Sequence, residues 1–185
     1  ELRPCAYESV FDHNKIIFSH FMESARFQFD ESRIRMVNKA YMIDTDQLEL
    51  LALLNSKVFW FLLRAAARIK RGGYIEAEIQ YVSRFPIPEI RTARRQSLAT
   101  LATTCIEKSK TRVASTATIR HRISADLGGG AKLSRKLEDW HLLDFTAFRD
   151  EIKRVFRTEI PVKQRGQWES YLAEEGEKVR TLTAE

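Results

Sequence analysis

The chain has 185 residues, of which 44% are hydrophobic, so it is long and apolar enough to form a core and is not disordered as a whole. Its 31 lysines and arginines exceed its 25 acidic residues and give a net charge of +6. A mildly basic chain favours a polyanionic partner, although many basic domains bind nothing anionic.

The cysteines and the apolar runs indicate the setting of the protein. Cys5 and Cys105 lie far apart and outside any metal-binding spacing, which argues against a disulfide framework and a zinc site. The longest apolar run, residues 58–67, is interrupted by Arg64 and is too short to cross a bilayer. We therefore expect a reducing, cytoplasmic setting and no membrane partner. Because the chain starts without Met and ends in a helical pattern, we expect it to be a piece of a longer protein.

Residues 15–44 are rich in aromatic and β-branched side chains that alternate locally with polar ones. Phe27 and Phe29, for example, alternate with Arg26 and Gln28. This period of two predicts short antiparallel strands with one buried face.

Two consecutive helices are predicted next. The Asp-Thr-Asp sequence at residues 44–46 is typical of a helix cap, and leucines follow at helical spacing over residues 48–54. Residues 55–56, Asn-Ser, indicate a break. A second apolar stripe over residues 59–69 predicts the second helix.

Gly72 and Gly73 are predicted to end that helix, because glycine tolerates the left-handed dihedral angles of a helix exit. The alternation over residues 74–81 predicts a strand, which Pro86 and Pro88 terminate by removing backbone donors. The polar face of this strand carries Tyr74, Glu76, Glu78 and Gln80.

The second half of the chain has a helical pattern. Residues 92–127 contain neither proline nor glycine and predict one long helix, after which the glycines at 128–130 predict a flexible hinge. Asp144 is typical of a cap for a helix over residues 145–156, and Pro161 is typical of the start of another. These helices would form an antiparallel arm.

Together these elements predict an α+β chain. It would consist of a small mixed or antiparallel β domain with two packed helices, followed by a helical C-terminal arm. We place the mixed domain at residues 1–90 and a helical arm or spacer at residues 91–185.

Basic residues concentrate in two zones. Residues 57–95 contain nine lysines and arginines against three acidic residues, and residues 108–136 contain eight against one. Such zones are typical of surfaces that bind the phosphate backbone of a nucleic acid. Solvated faces of surface helices explain the same pattern, and this alternative stays open on charge alone.

No catalytic constellation is recognisable in the sequence. The glycine-rich loops of nucleotide-binding proteins, the Gly-x-Ser-x-Gly nucleophile turn and the His-Glu-x-x-His metal motif are all missing. The four histidines have no ligand or triad spacing. We therefore expect no catalytic residue, no metal ligand and no cofactor bound by this chain, and no enzyme activity of the chain on its own.

Three sequence strings carry a family resemblance. They are KIIFSHFMESARFQFD from Lys15, YMIDTDQLELLALLNSKVFWFLLRAAA from Tyr41 and RGGYIEAEIQYVSRFPIP from Arg71. In order and spacing they resemble the TaqI-like C-terminal specificity domain of adenine-specific DNA methyltransferases and fused restriction-modification enzymes. The segments KLSRKLEDWHLLDFTAFRDEIKRVF and QWESYL resemble, more loosely, the helical C-terminus of large enzymes of that kind, including enzymes of phage defence.

The resemblance implies that residues 1–90 are a target recognition domain. It would grip double-stranded DNA and read a short sequence for an upstream methyltransferase domain, absent from this chain, that binds S-adenosylmethionine and methylates a flipped adenine. From residue type we then assign phosphate contacts to Arg68, Lys70, Arg71 and Arg84, a phosphate-facing turn to Gly72 and Gly73, and base-edge contacts to Tyr74, Glu76, Glu78 and Gln80.

A second hypothesis is a helical protein-interaction module. In that case the helix over residues 92–127 and the apolar stripe over residues 145–156 would dock onto a methyltransferase core or another subunit. Such a complex would be insensitive to moderate salt and would be lost when Phe148 or Ile152 becomes aspartate. The sequence leaves both hypotheses open.

Overall fold

The computed structural model of the chain describes residues 8–36 and 39–183, so Cys5 lies outside the described residues. The chain separates into two compact units, Glu1–Ile106 and Glu107–Glu185. The first unit combines small antiparallel sheets with helices, and the second is helical, so the predicted α+β fold class is confirmed. Throughout the described ranges, each helix is too short or too polar to span a bilayer.

The regular elements are numbered in chain order. The strands of the described residues are β1 (Lys15–Ser19), β2 (Phe21–Met22), β3 (Gln28–Asp30), β4 (Ala40–Asp44) and β5 (Ile75–Glu76). The α-helices are α1 (Leu48–Leu54), α2 (Lys57–Ala66), α3 (Ile79–Val82), α4 (Thr92–Arg122), α5 (Arg135–Glu138), α6 (Phe145–Phe156) and α7 (Val162–Thr181). Short 3-10 turns at Glu8–Asp12 and Trp140–Leu142 and a π-helical turn at Ile123–Leu127 accompany them.

The strands of the first unit form two antiparallel sheets. β1 is the central strand of the larger sheet, with β3 on one side and β4 on the other, and its Ile16 and Phe18 side chains are buried. The smaller sheet joins β2 to β5, with Met22 opposite Ile75. The short antiparallel strands predicted for residues 15–44 are therefore confirmed.

The two predicted helices of the first unit are α1 and α2, and their start signals differ from the prediction. Asp44 is the last residue of β4, and α1 begins after Gln47, which makes no side-chain cap hydrogen bond. The predicted cap at residues 44–46 is therefore wrong. The predicted break before α2 is confirmed, because the Ser56 hydroxyl accepts a hydrogen bond from the Phe59 N–H at 3.1 Å.

The core of the first unit draws apolar side chains from both sheets and from α1, α2 and the first part of α4. The buried set is Ile16, Phe18, Met22, Phe27, Leu51, Leu54, Phe59, Leu63, Ala67, Ile75, Ala77 and Ala102. Asn55, at the end of α1, links this core to the segment before β3. Its side-chain oxygen accepts from the Phe27 N–H at 3.0 Å, and its Nδ2 donates to the Phe27 carbonyl at 2.9 Å. Both backbone groups of a buried residue are thereby satisfied.

A buried ion pair joins two neighbouring strands of the larger sheet. Lys15 on β1 lies opposite Asp30 on β3, and its Nζ is 2.7 Å from Asp30 Oδ2, with both side chains almost fully buried. The ammonium also donates to the carbonyls of Phe11 and His13, at 3.1 and 3.3 Å. Burying two charges is favourable only when their remaining polar atoms are also satisfied, and here they are.

The Gly72-Gly73 pair does not end α2, so that prediction is wrong. The helix ends at Ala66, because Ala67 already has an extended backbone (φ −86°, ψ 159°). The chain then continues as one arm of a β-hairpin, in which Ile69 pairs with Ile75. The two glycines lie in the turn of this hairpin.

The strand predicted for residues 74–81 is also wrong beyond its first part. β5 ends at Glu76, and the chain turns into the short helix α3 from Ile79. The alternation is broken in burial as well, because Glu76 is buried with the apolar residues whereas Ile79 is exposed.

The long helix predicted over residues 92–127 is α4 as far as Arg122, and the π-helical turn that follows completes it. This wider turn buries Ile123 and Leu127 in the second unit.

The glycine triplet that follows was predicted to be a flexible hinge, and that prediction is wrong. The triplet forms a hydrogen-bonded turn. Gly130 N–H donates to the Ser124 carbonyl at 2.8 Å, and the Ser124 hydroxyl donates to the Ala131 carbonyl at 2.7 Å. Gly128 lies against the Phe156 ring, where an added Cβ would be 2.6 Å from ring carbons. Close packing and these bonds fix the turn in place.

The second unit has its own core. It is formed by Ile119, Ile123, Leu127, Leu137, Trp140, Phe148, Ile152, Ile160, Trp168 and Val179. The predicted cap of α6 is confirmed, because Asp144 Oδ1 accepts from the Ala147 N–H at 2.7 Å. α7 begins directly after Pro161, also as predicted. The apolar stripe of α6 is therefore buried within its own unit, and its assignment as a docking surface is wrong.

Substitutions in this stripe are expected to act on folding. Phe148 is 1% exposed, so Phe148→Asp places a charge in an apolar core and should lower the free energy of unfolding of the second unit by more than about 3 kcal/mol. Leu142→Asp is the matched control, because Leu142 is 75% exposed and should change stability by less than about 0.5 kcal/mol. Urea denaturation followed by circular dichroism measures both. Equal stability of the two variants would contradict the buried stripe.

Candidate nucleic-acid interface

The segment from Arg68 to Glu76 forms a β-hairpin that backbone hydrogen bonds hold together. Lys70 N–H donates to the Tyr74 carbonyl at 2.7 Å, and Glu76 N–H donates to the Arg68 carbonyl at 2.9 Å. Across the turn, Gly73 N–H donates to the Lys70 carbonyl at 3.1 Å. The hairpin therefore has a defined shape without help from its exposed side chains.

The turn of the hairpin requires glycine. Gly72 and Gly73 have φ angles of 91° and 84°, a region in which a Cβ is strained. An added Cβ at Gly73 would meet nothing within 4 Å, so backbone conformation rather than crowding selects glycine there. The absence of side chains also lets another molecule approach the backbone of the turn closely.

The hairpin presents basic side chains to solvent. Arg68 and Arg71 are exposed, Lys70 is half-exposed, and the Tyr74 ring is 41% exposed beside them. Three cations within four residues around a glycine turn form a surface that can contact successive phosphates. The structure thus brings together six of the ten predicted site residues. They are Arg68, Lys70, Arg71, Gly72, Gly73 and Tyr74.

The predicted base-edge residues are not on one face. Glu76 is 8% exposed, and its Oε1 atom lies 2.9 Å from Lys70 Nζ. Glu78 is half-buried and is the residue before α3, where its carboxylate accepts a hydrogen bond from the exposed Gln80 amide. Tyr74 and Gln80 are therefore the accessible members of this set, and Glu76 positions Lys70.

Arg84 lies apart from the hairpin in the chain. It is exposed and follows α3, just before Phe85, whose ring contacts Phe59 in the core at 4.7 Å between centroids. Its guanidinium adds to the basic surface of the hairpin only for a bound molecule that also contacts the segment after α3.

The loop between β2 and β3 adds two residues that the sequence did not single out. A hydrogen bond from Tyr74 to Glu23, together with the Glu23 charge, raises the pKa of Tyr74, and the nearby Arg26 charge opposes this change. Arg26 is exposed and its Nε donates to the Ser24 hydroxyl at 3.1 Å. No local spacing connects residue 26 to residue 74, so only the pairing of β2 with β5 reveals this neighbour.

The basic zone of the second unit is partly engaged by the protein itself. Arg120 Nε donates to the Glu138 carbonyl at 2.7 Å. Arg122 is 3.3 Å from Asp126 and its guanidinium lies over the Tyr171 ring at 4.3 Å from the centroid. These two arginines stabilise the second unit, which weakens the prediction that this zone is a phosphate clamp.

Comparison with known families assigns both halves of the chain. Residues 2–87 match the TaqI-like C-terminal specificity domain, and residues 91–185 match a domain of unknown function, DUF8810. Searches among curated proteins and among solved structures return no match. The first match is to a non-catalytic specificity domain of restriction-modification DNA methyltransferases. The chain thus belongs to the DUF8810 family through residues 91–185, and its residues 2–87 are a TaqI-like C-terminal specificity domain.

Proposed function

We propose that this chain recognises a short sequence in double-stranded DNA on behalf of an adenine N6-methyltransferase domain that uses S-adenosylmethionine. The observation that carries the proposal is the exposed hairpin, which places Arg68, Lys70 and Arg71 around a glycine turn inside a specificity domain. The chain itself supplies no chemistry in this proposal. It holds the duplex while the separate domain flips and methylates the base in the cytoplasm.

Phosphate contacts in the proposal come from the hairpin and its neighbours. Arg68 and Arg71 are exposed and carry no ion pair in the described residues, so their charges are free for phosphate oxygens. Arg26 and Arg84 extend the surface. Gly72 and Gly73 allow the backbone N–H groups of the turn to approach the same phosphates.

Base reading in the proposal rests on the accessible polar groups. The Gln80 amide can both donate and accept, as adenine requires, and the Tyr74 hydroxyl can contact either groove edge. Glu78 contributes through its hydrogen bond with Gln80. Glu76 acts indirectly, because its buried carboxylate fixes Lys70.

The division of labour along the chain is part of this proposal. Recognition is assigned to residues 1–90 and a spacer or docking role to residues 91–185. The two family matches, which end at residue 87 and begin at residue 91, support this division.

The proposal is tested by a fluorescence-anisotropy titration of the chain with a randomised duplex at two salt concentrations, followed by sequencing of the bound DNA. We expect affinity to fall steeply with salt, because released counterions drive phosphate binding, and one short motif to be enriched. Binding without an enriched motif would reduce the function to nonspecific DNA contact. No binding at low salt would contradict the proposal for the isolated chain.

Docking onto a methyltransferase domain remains the second candidate, now on a different surface. The first unit has an apolar groove of about 570 Å³ lined by residues of β4, α1, α2, α3 and the segment before α4. Val58 and Ile87 at this groove are 69% and 62% exposed, so the groove presents apolar side chains that a partner would cover. A complex with a methyltransferase domain that persists at high salt, in the absence of DNA binding, would favour this candidate.

A further inference from the structure

Three metal-ligating side chains converge beside the hairpin. His20 lies between β1 and β2, Glu76 on β5, and Glu78 immediately before α3. His20 Nε2 is 3.9 Å from Glu76 Oε1 and 3.6 Å from Glu78 Oε1. One ligand atom from each of the three residues lies within 4.8 Å of the other two.

The imidazole of His20 is oriented toward the two carboxylates. Its Nδ1 atom is 3.5 Å from the Tyr41 hydroxyl, and its ring stacks on Phe21 at 4.4 Å between centroids. Its Nε2 atom is buried and has no hydrogen-bond partner in the described part of the chain. A buried ring nitrogen without a partner is costly, and a group that binds there would relieve the cost.

The two carboxylates complete a set of ligands that suits a divalent cation of intermediate hardness. Glu76 is buried, and Glu78 is the more accessible of the two, with 31% of its side chain exposed. Lys70 Nζ already lies 2.9 Å from Glu76 Oε1, so the site attracts positive charge. One imidazole nitrogen and two carboxylate oxygens are ligands that Zn²⁺ accepts, with a water in the fourth position.

The histidine nitrogen already lies close to the separation from each carboxylate that a bound ion would require. Tetrahedral Zn²⁺ with bonds of about 2.0 to 2.2 Å holds its nitrogen and oxygen ligands about 3.3 to 3.6 Å apart. The Nε2 atom of His20 is within a few tenths of an ångström of this separation from both Glu76 and Glu78. The Tyr41 hydroxyl beside Nδ1 is the kind of outer partner that orients a metal-bound histidine.

We propose that His20, Glu76 and Glu78 bind one divalent transition-metal ion of the Zn²⁺ class. The ion joins the segment between β1 and β2, strand β5 and the start of α3, and so fixes the base of the hairpin. When Glu76 ligates the ion, Lys70 loses its partner and its ammonium becomes available at the hairpin surface. The site touches the proposed DNA surface through Lys70 and Gln80, the partners of Glu76 and Glu78, but Zn²⁺ binding is measured without DNA and is therefore tested separately.

The test is isothermal titration of the tag-free, chelator-treated chain with Zn²⁺. Cys5 and Cys105 are changed to serine in every sample, so that thiolates do not compete for the ion. We expect one equivalent of Zn²⁺ to bind, and His20→Asn or Glu78→Gln to weaken binding by at least about tenfold, because loss of a ligand exceeds the effect of losing an outer partner. His13→Asn is the matched control, since His13 Nδ1 lies 3.9 Å from a single carboxylate, Asp44, and should leave binding unchanged.

Two further measurements keep the test decisive. Far-UV circular dichroism establishes whether each variant is folded. If His20→Asn does not fold, Glu78→Gln alone decides the test, because Glu78 is at a partly exposed position. The visible spectrum of bound Co²⁺ reports whether nitrogen and oxygen ligands surround the ion. Absence of saturable Zn²⁺ binding overturns the proposal, and so does binding that His20→Asn and Glu78→Gln leave intact.

Discussion

Lys15→Met is expected to destabilise the first unit by about 3 to 5 kcal/mol, because it removes one partner of a buried ion pair. The Asp30 carboxylate would remain buried without the ammonium that now lies 2.7 Å away. Burial alone raises the pKa of Asp30, but the hydrogen bonds from Lys15, Ser32 and Ile34 lower it overall. The native pair therefore favours an ionised Asp30 in the core, and the variant leaves that carboxylate without its counter-charge.

Urea denaturation of the chain measures this effect. Lys57→Met is the matched control, because Lys57 is an exposed lysine at the start of α2 in the same unit. Adding Asp30→Asn to Lys15→Met should recover part of the loss, since the neutral amide needs no counter-charge and its single oxygen still accepts from the Ser32 N–H, although the Ile34 N–H loses its acceptor. A loss for Lys15→Met no larger than that for Lys57→Met would contradict the stabilising role of the pair.

The second large effect concerns the hairpin. The double variant Arg68→Ala/Arg71→Ala should weaken DNA binding about 10- to 100-fold at low salt, because two phosphate contacts are lost. The slope of log K against log salt should fall by about two, one for each contact. Both arginines are exposed, so the variant should unfold at the same urea concentration as the unchanged chain.

The control is a double variant of equal charge in the second unit. Arg149→Ala/Lys163→Ala removes two positive charges from α6 and α7, outside the specificity domain. It should change DNA affinity by less than about threefold, since these two residues are not among the phosphate contacts that the proposal assigns. Equal losses in the two double variants would show that net charge, rather than the hairpin, binds DNA.

The parts of the fold that the sequence predicted correctly are those determined by local chemistry. Ser56 and Asp144 cap α2 and α6 because their side-chain oxygens reach backbone N–H groups three residues on. The α4 prediction depends on a long stretch without proline or glycine, which is also a local property. Each of these signals needs no information from distant residues.

The predictions that were wrong needed such information. The alternation after Tyr74 satisfies a period of two, but Glu76 turns inward because Lys70 and His20 surround its carboxylate. Gly72 was correctly expected to have a positive φ, yet the turn belongs to a hairpin because α2 ends earlier, at Ala66. A strand, a hairpin and a helix exit share these local patterns, and tertiary contacts decide among them.

The candidate sites show the same limit. The basic residues of the hairpin lie within the four positions 68–71, and the sequence therefore located them. His20 lies 56 residues before Glu76, and Arg26 lies 48 residues before Tyr74. The antiparallel pairing of β2 with β5 brings both neighbours to the hairpin. No spacing rule along the chain reports a contact that a sheet creates.

In the hairpin, the groups that determine the backbone conformation differ from the side chains that are exposed to a partner. Its turn depends on two glycines and on main-chain hydrogen bonds, whereas the side chains of Arg68 and Arg71 point to solvent and contribute little to folding. Substitutions at these outward positions are therefore nearly free of a folding cost. A lineage can therefore change the charges that this hairpin presents to a partner while inheriting one unchanged backbone.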